Sequence, residues 1–300
     1  ASITWGDSFT LASKPFNYRI MAGIGDNTSK VTKYDNPNRT LTDPYEGQQL
    51  GEIWGYVVDG YFKTDEEARN YKVDQSFVNQ MINASALDNG LHAGDIKLDG
   101  NNKIEQTTSA NDRKDMKVIG NSLPRYNYNF GISADWYGID FSVLFQGIGK
   151  QNWYPGAETS MFWGPYSRPY ASFIPSDFMS QVWSEENTDA YFPRPRGYVA
   201  LGSNRELAVV NTKYLQNLAY CRLKNLSIGY TLPDKWLSKI GFEKIRVYFS
   251  GENLLTFTKL HSDYIDPEQA SASNSWKTSK SDANIYRWAK TYSFGVDITF

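Results

Sequence analysis

Residues 290–300 alternate with a strict period of two. Tyr292, Phe294, Val296, Ile298 and Phe300 share one parity; Thr291, Ser293, Gly295, Asp297 and Thr299 share the other. Side chains of an extended segment point alternately to opposite faces, so this stretch predicts a strand with one apolar and one polar face. The apolar parity continues to Phe300. A core strand of a water-soluble sandwich gives the same alternation. An apolar face that runs unbroken to the last residue fits better a strand with lipid on one side and polar surroundings on the other.

The pattern recurs. Tyr126, Tyr128, Phe130, Ile132, Ala134 and Trp136 alternate with Asn127, Asn129, Gly131, Ser133 and Asp135. After Tyr137-Gly138, a two-residue turn, Ile139, Phe141, Val143 and Phe145 alternate with Asp140, Ser142 and Gln146, which makes a hairpin. Leu226, Ile228, Tyr230 and Leu232 alternate with Asn225, Ser227, Gly229 and Thr231 before Pro233. Ile245, Val247 and Phe249 alternate with Arg246, Tyr248 and Ser250. Phe16, Tyr18, Ile20, Ala22 and Ile24 alternate with Asn17, Arg19 and Gly23. Gly51–Phe62 reads as a further, glycine-interrupted strand, and Ser2–Leu11 as a weaker one.

With the last strand running down, the connections sort by length. Tyr137-Gly138 and Pro233–Phe242 are short and fall on one side, the second with room for a helical turn. Lys63–Arg125, Gln151–Lys213 and Leu254–Arg287 are long and fall on the other. Short turns on one rim and long loops on the other are the mark of a transmembrane barrel rather than of a soluble sandwich.

Composition narrows the chemistry. A net charge of −2 provides no basic footprint for nucleic acid. No run of eighteen apolar residues occurs, which excludes a transmembrane helix but not strands that are only half apolar. One cysteine, Cys221, and two histidines, His92 and His261, argue against a disulfide framework and against thiolate or imidazole metal sites. Aromatic residues make up 15% of the chain, as membrane-interface girdles and ring-stacking loops require. Ala1 is followed by neither a charged nor an apolar leader region, so the expectation is that the natural N-terminus lies upstream.

Few loop motifs point to chemistry. Thr64-Asp65-Glu66-Glu67 is a capping box for a short helix to about Lys72, and Ser176–Ser184 reads as a second short helix. Asp95, Asp99, Asn101 and Glu105 offer oxygen ligands, but Lys103 stands where calcium would want an acid, and a turn rich in Asp, Asn and Gly explains them better. Asp263, Asp266 and Glu268 could be paired for glycoside hydrolysis, yet beside Pro267 they read as turn and surface. No nucleophile elbow, P-loop or dinucleotide fingerprint is present, so the expectation is no enzyme, no cofactor and no metal. Trp153, Tyr154, Trp163, Tyr166, Tyr170 and Tyr191, with Arg168, are candidates for substrate or partner contact through ring stacking and forked donors. Packing of the loop on itself is the equal alternative. Trp54, Trp136 and Trp288 suit an interface girdle or loop packing.

Several segments, in order from about Asp26 to Phe300, resemble the SusC/RagA family of TonB-linked outer-membrane transporters. They are Gly47–Tyr56 with Asp59–Phe62 and Asp65–Glu67, Gly94–Lys97, Val118–Asn121 with Pro124–Tyr126, Tyr220–Pro233, Asn253–Thr258 with Asp266–Glu268, and Tyr292–Gly295. The resemblance implies an all-β fold: an antiparallel transmembrane β-barrel segment of about seven or eight strands from a barrel of about 22, with long extracellular loops. Residues 1–300 would be the C-terminal part of that barrel, without its plug domain or N-terminal extension. It implies a TonB-dependent importer of oligosaccharides or peptides in the outer membrane of a Bacteroidetes-type Gram-negative cell. The implied partners are the rest of the transporter, a SusD-like surface lipoprotein lid, TonB–ExbB–ExbD acting through the plug, the barrel assembly machinery, and lipid or lipopolysaccharide. Tyr292, Phe294, Val296, Ile298 and Phe300 match the barrel-assembly signal of such proteins. Asn127, Asn129, Asp135, Asp140, Gln146, Arg246 and Tyr248 would face the lumen. The competing reading is a soluble β-rich carbohydrate-binding or glycosidase domain; a third is a small autonomous porin-like barrel.

Overall fold

The structure, a computed structural model, describes residues 1–79, 91–167, 173–195, 200–202, 206–237, 241–270, 280–281 and 286–300. Seven strands form one sheet in chain order: β1 (Ser2–Leu11), β2 (Lys14–Gly25), β3 (Arg125–Trp136), β4 (Ile139–Lys150), β5 (Tyr220–Thr231), β6 (Lys244–Thr258) and β7 (Thr291–Thr299). Each pairs antiparallel with the next. The chain is thus all-β in its main sheet, and that sheet is open, with β1 and β7 at its edges.

Local chemistry explains the turns. Ala12 and Ser13 join β1 to β2 with φ of 49° and 62°. Tyr137 and Gly138 join β3 to β4 with φ of 50° and 83°. Two central residues in the left-handed region match the twist of the flanking strands. Pro233 ends the strand before a one-turn helix, Asp234–Leu237, in the link between β5 and β6. The links 26–124, 151–219 and 259–290 all leave from the opposite end of the sheet.

Two strand assignments need correction. Gly51–Phe62 is not a strand of the main sheet: Glu52–Gly55 and Val58–Tyr61 form separate two-stranded pieces with Lys117–Asn121 and Ile96–Leu98. Gly60, at φ 116°, sits at the register shift in the second pair. The main sheet therefore has seven strands, and the first long link starts at Asp26. The links also begin later than the alternation suggests at 253, because β6 continues to Thr258.

The register sorts the faces. One ladder row reads Tyr18, Ala134, Phe141, Ile228, Phe249, Phe294. The next reads Asn17, Asp135, Asp140, Gly229, Tyr248, Gly295. The apolar face is not covered: Phe294 is 84% exposed, Phe300 82% and Tyr292 61%. Seven strands at about 4.8 Å by about ten residues at 3.3 Å make a face of roughly 1,000 Å², well beyond the few hundred Å² of apolar patch typical of a soluble monomer.

The buried core lies elsewhere, in the long links. Residues from all three, among them Tyr56, Ile96, Leu98, Trp153, Phe162, Trp163, Phe192, Tyr214, Leu260 and Ile265, pack into one cluster. The links form a folded module at one end of the sheet.

Candidate functional site

The polar face of the sheet carries Asn127, Asn129, Asp135, Asp140, Gln146, Arg246 and Tyr248 together. Asp135 and Asp140 are directly opposed across β3 and β4. Like charges so placed repel, and neighbours offset this. Asn17 Nδ2 donates to Asp135 at 2.7 Å. Arg246 donates to both oxygens of Asp140 at 2.6 and 2.8 Å and to Asp297 at 3.2 Å. That guanidinium reaches Asp140 across β5 because Gly229 stands between: a Cβ there would meet both the Asp140 carboxylate and the Arg246 guanidinium. The Tyr248 ring lies over Gly295, where a Cβ would collide with it.

In the loop module, burial redistributes the aromatic candidates. Trp153, Tyr154 and Trp163 are fully buried and Tyr166 is 2% exposed. Ring stacking on a ligand needs an open face, so these four are not contact residues in this conformation; of the two readings of the sequence, self-packing describes them. Their polar atoms are satisfied inside. The Tyr154 hydroxyl donates to the carbonyl of Leu207 or Val209 and accepts from Asn211 Nδ2 at 2.9 Å. Trp163 Nε1 donates to the Gly156 carbonyl at 2.9 Å, and the Tyr166 hydroxyl to that of Pro193. Tyr191 is half-buried, its ring stacked 3.5 Å from His261. Arg168 and Tyr170 lie outside the described residues.

Burial raises the phenol pKa values in this core. Tyr61, Tyr166 and Tyr214 go well above the usual phenol range, and Tyr45, buried outside this cluster and bonded to Glu52, is pushed up to about 12. Lys213, with Nζ 4.2 Å from the Tyr61 ring centre, is pulled down by desolvation.

One charged group in the module was not legible as such. Arg222 on β5 is 1% exposed. It donates from Nη2 to both oxygens of Asp266 at 2.7 Å, from Nη1 to Glu268 at 2.5 Å and from Nε to Thr256 Oγ1 at 3.0 Å. Lys224 donates to Glu268 at 2.8 Å. Against β4, Leu223 faces Phe145 and Asn225 faces Leu144, which leaves Lys224 as the extra residue of a bulge that re-aims its side chain. Asp266 and Glu268 are therefore an anchor of the third link to the sheet, not a hydrolytic pair. The signal available in sequence was the out-of-phase Arg222 and Lys224 beside a two-acid turn.

The four oxygen-ligand candidates do not converge. Asp95 is buried and accepts from the His92 amide at 2.8 Å. Asp99 pairs with Lys117 at 3.6 Å, and Asn101 and Glu105 are exposed. Among the described residues no three His, Cys, Asp or Glu side chains gather as a metal site. Half of the capping box forms: Thr64 accepts from the Glu67 amide at 3.1 Å and caps Asp65–Arg69, while Glu67 accepts from the Lys63 amide at 2.7 Å, and the helix ends three residues before the expected Lys72. Ser176–Ser184 holds only a 3₁₀ turn, Phe178–Gln181.

This architecture is an antiparallel wall with a bare apolar face, a polar face and a folded module on one rim. The comparisons narrow it. No protein-family profile matches the chain. TonB-dependent receptor P3 of Formosa agariphila is 28% identical over 261 residues, 85% of this chain and 22% of that protein. TonB-dependent receptor P39 of the same organism is 25% identical over 286 residues, 84% of this chain and 26% of that one. The RagAB peptide importer in its open-open state superposes with a TM-score of 0.61 at 17% identity, covering 100% of this chain and 28% of its own. A second structure of the RagAB peptide transporter gives 0.60 at 19% identity. The chain is SusC/RagA-like, similar in sequence to TonB-dependent receptors and in fold to the RagAB structures, and it spans about a quarter of the length of the curated relatives it matches.

Proposed function

We propose that residues 1–300 form the C-terminal wall and extracellular loops of a TonB-dependent outer-membrane importer for oligosaccharides or peptides. The observation that carries this is the bare apolar face, which runs in register from β2 to β7 and into β1, where Asp7 interrupts it opposite Tyr18, beneath a module whose core comes from the long links. In a bilayer core no backbone group can be left unpaired. The free edges at β1 and β7 are therefore completed by the strands of the same transporter, whose plug receives TonB–ExbB–ExbD. The apolar face meets lipid or lipopolysaccharide. The polar face, with Asn127, Asn129, Asp135, Asp140, Gln146, Arg246 and Tyr248, lines the lumen against plug or substrate. A SusD-like lipoprotein closes over the module, and Tyr292, Phe294, Val296, Ile298 and Phe300 serve insertion by the barrel assembly machinery. The segment binds and gates; it breaks no bonds.

The test is fractionation of the native source, detergent extraction of the outer membrane and intact-mass analysis of the complex carrying these residues. The expected result is recovery with the remaining transporter sequence and a surface lipoprotein. Recovery of a monodisperse chain of this size from the detergent-free soluble fraction would overturn the reading.

A further inference from the structure

One carboxylate stands on the apolar face. β1 places Ile3, Trp5 and Phe9 there, opposite Ala22, Ile20 and Phe16 of β2. Asp7 has the same parity and lies opposite Tyr18. Rings flank it: the centres of Trp5 and Phe9 are 5.5 and 6.4 Å from that of Tyr18. Asp7 is five residues from the turn that begins at Ala12. At about 3.3 Å per residue and a tilt of about 40°, this is a height of roughly 12–13 Å, halfway up an apolar band of about 25 Å. A charge at that depth is not at a rim, where water or headgroups would solvate it.

The donor that Asp7 has is a borrowed one. Among the described residues it is in no ion pair, and its hydrogen bond comes from the Ser8 amide, at 2.7 Å to Oδ1. That amide belongs to the free edge of the sheet. Ala1 N donates to the Ile24 carbonyl at 2.8 Å, and the Ile24 amide to the Ala1 carbonyl at 2.9 Å. The odd residues of β1 therefore turn their backbone groups to β2, and the even ones, Ser8 among them, turn theirs outward. Asp7 is folded over an unpaired edge donor.

A bilayer core requires that edge to be paired. The incoming strand then supplies a carbonyl to the Ser8 amide, and the carboxylate is left in lipid without a donor. An ionised group inside a membrane persists when it is paired. The ladder also fixes where the pairing group stands. The backbone groups of Asp7 point away from the incoming strand, so its partner there is of the non-hydrogen-bonded kind, the closer one, with Cβ atoms about 4.5–5.5 Å apart.

We propose that the strand completing the β1 edge in the whole transporter carries an arginine or lysine opposite Asp7, or one diagonal position away, and that this intramembrane ion pair sets the register of the junction. A slip of one residue would turn the cation to the polar face and break the pair. The inference rests on the importer reading, and the relatives have room for such a strand: the matched segment is 22% of TonB-dependent receptor P3.

The experiment refolds the full transporter into phosphatidylcholine vesicles and reads urea unfolding from heat-modifiable gel mobility. Asp7→Asn keeps the shape and removes the charge. It is expected to cut the folded-to-unfolded ratio about tenfold, because it strands the opposing cation in lipid. Asp7→Leu should do the same. Replacing that cation by leucine in the Asp7→Leu background should restore the ratio to the wild-type value or above. A single substitution that leaves the ratio unchanged or raises it overturns the pair, since an unpaired lipid-facing carboxylate destabilises the wild type and either variant relieves it. So does an incoming strand with no arginine or lysine at the opposite or diagonal positions. A loss that varies with the protein-to-lipid ratio assigns Asp7 to a second copy and also overturns it. These three outcomes leave the importer reading standing; recovery of the transporter from the detergent-free soluble fraction would overturn both.

Discussion

Gly229 and Arg222 show how single residues set the electrostatics of this chain. Only hydrogen at Gly229 leaves room for Arg246 to cross β5 and clasp Asp140. Gly229→Ala should displace that clasp and lower the stability of the detergent-solubilised transporter by about 1–3 kcal/mol, read by thermal unfolding. In a double-mutant cycle with Arg246→Ala the two losses should be strongly non-additive. Arg222 is buried with Asp266 and Glu268 around it. Arg222→Met leaves an uncompensated buried carboxylate, so the anchor of the third link should weaken by about 3–5 kcal/mol. Hydrogen exchange at 259–270 should rise while that of β3 and β4 stays unchanged. The tyrosines add a pH dependence. Their folded pKa values are raised, by burial first, so the stability they contribute is fully present below about 10, the unfolded value, and is lost as pH rises through about 12 and beyond. An ultraviolet titration of phenolate should show exposed tyrosines ionising near 10 and Tyr45, Tyr61 and Tyr214 ionising late, with unfolding of the module.

At the scale of elements, the strands with one apolar parity were legible because period two is a local property of the backbone. The exceptions are physical. Gly51–Phe62 alternates like a wall strand but is broken at Gly55 and Gly60, and its residues bury into the link core on both sides. The bulge at Lys224 adds one residue against β4 and inverts the phase, so the outward parity is even over 226–230 and odd over 221–223, and no single alternation runs through β5. The sheet makes an element-level prediction. Ile228→Arg, on the apolar face, should cost about 2–4 kcal/mol in refolding into lipid, and Ser227→Arg, one residue away on the polar face, about 0–1. Equal costs at the two positions would mean that the faces are assigned wrongly.

At the scale of the whole molecule, the chain divides its labour. The sheet keeps its apolar face outward and holds almost none of the buried aromatic core, while the three links bury Trp153, Trp163, Tyr154 and Tyr214 in one cluster. The sequence by itself determined the all-β class, the strand faces, the hairpin at Tyr137-Gly138 and the sorting of short and long connections, because each follows from neighbours in the chain. It also carried the SusC/RagA-like resemblance, through segments read in order. Only the tertiary structure decided which loop aromatics are interior and that Arg222 pairs with Asp266 and Glu268. Those partners lie 44 and 46 residues apart along the chain. Contacts between distant segments depend on how the links pack together, and no local period encodes that.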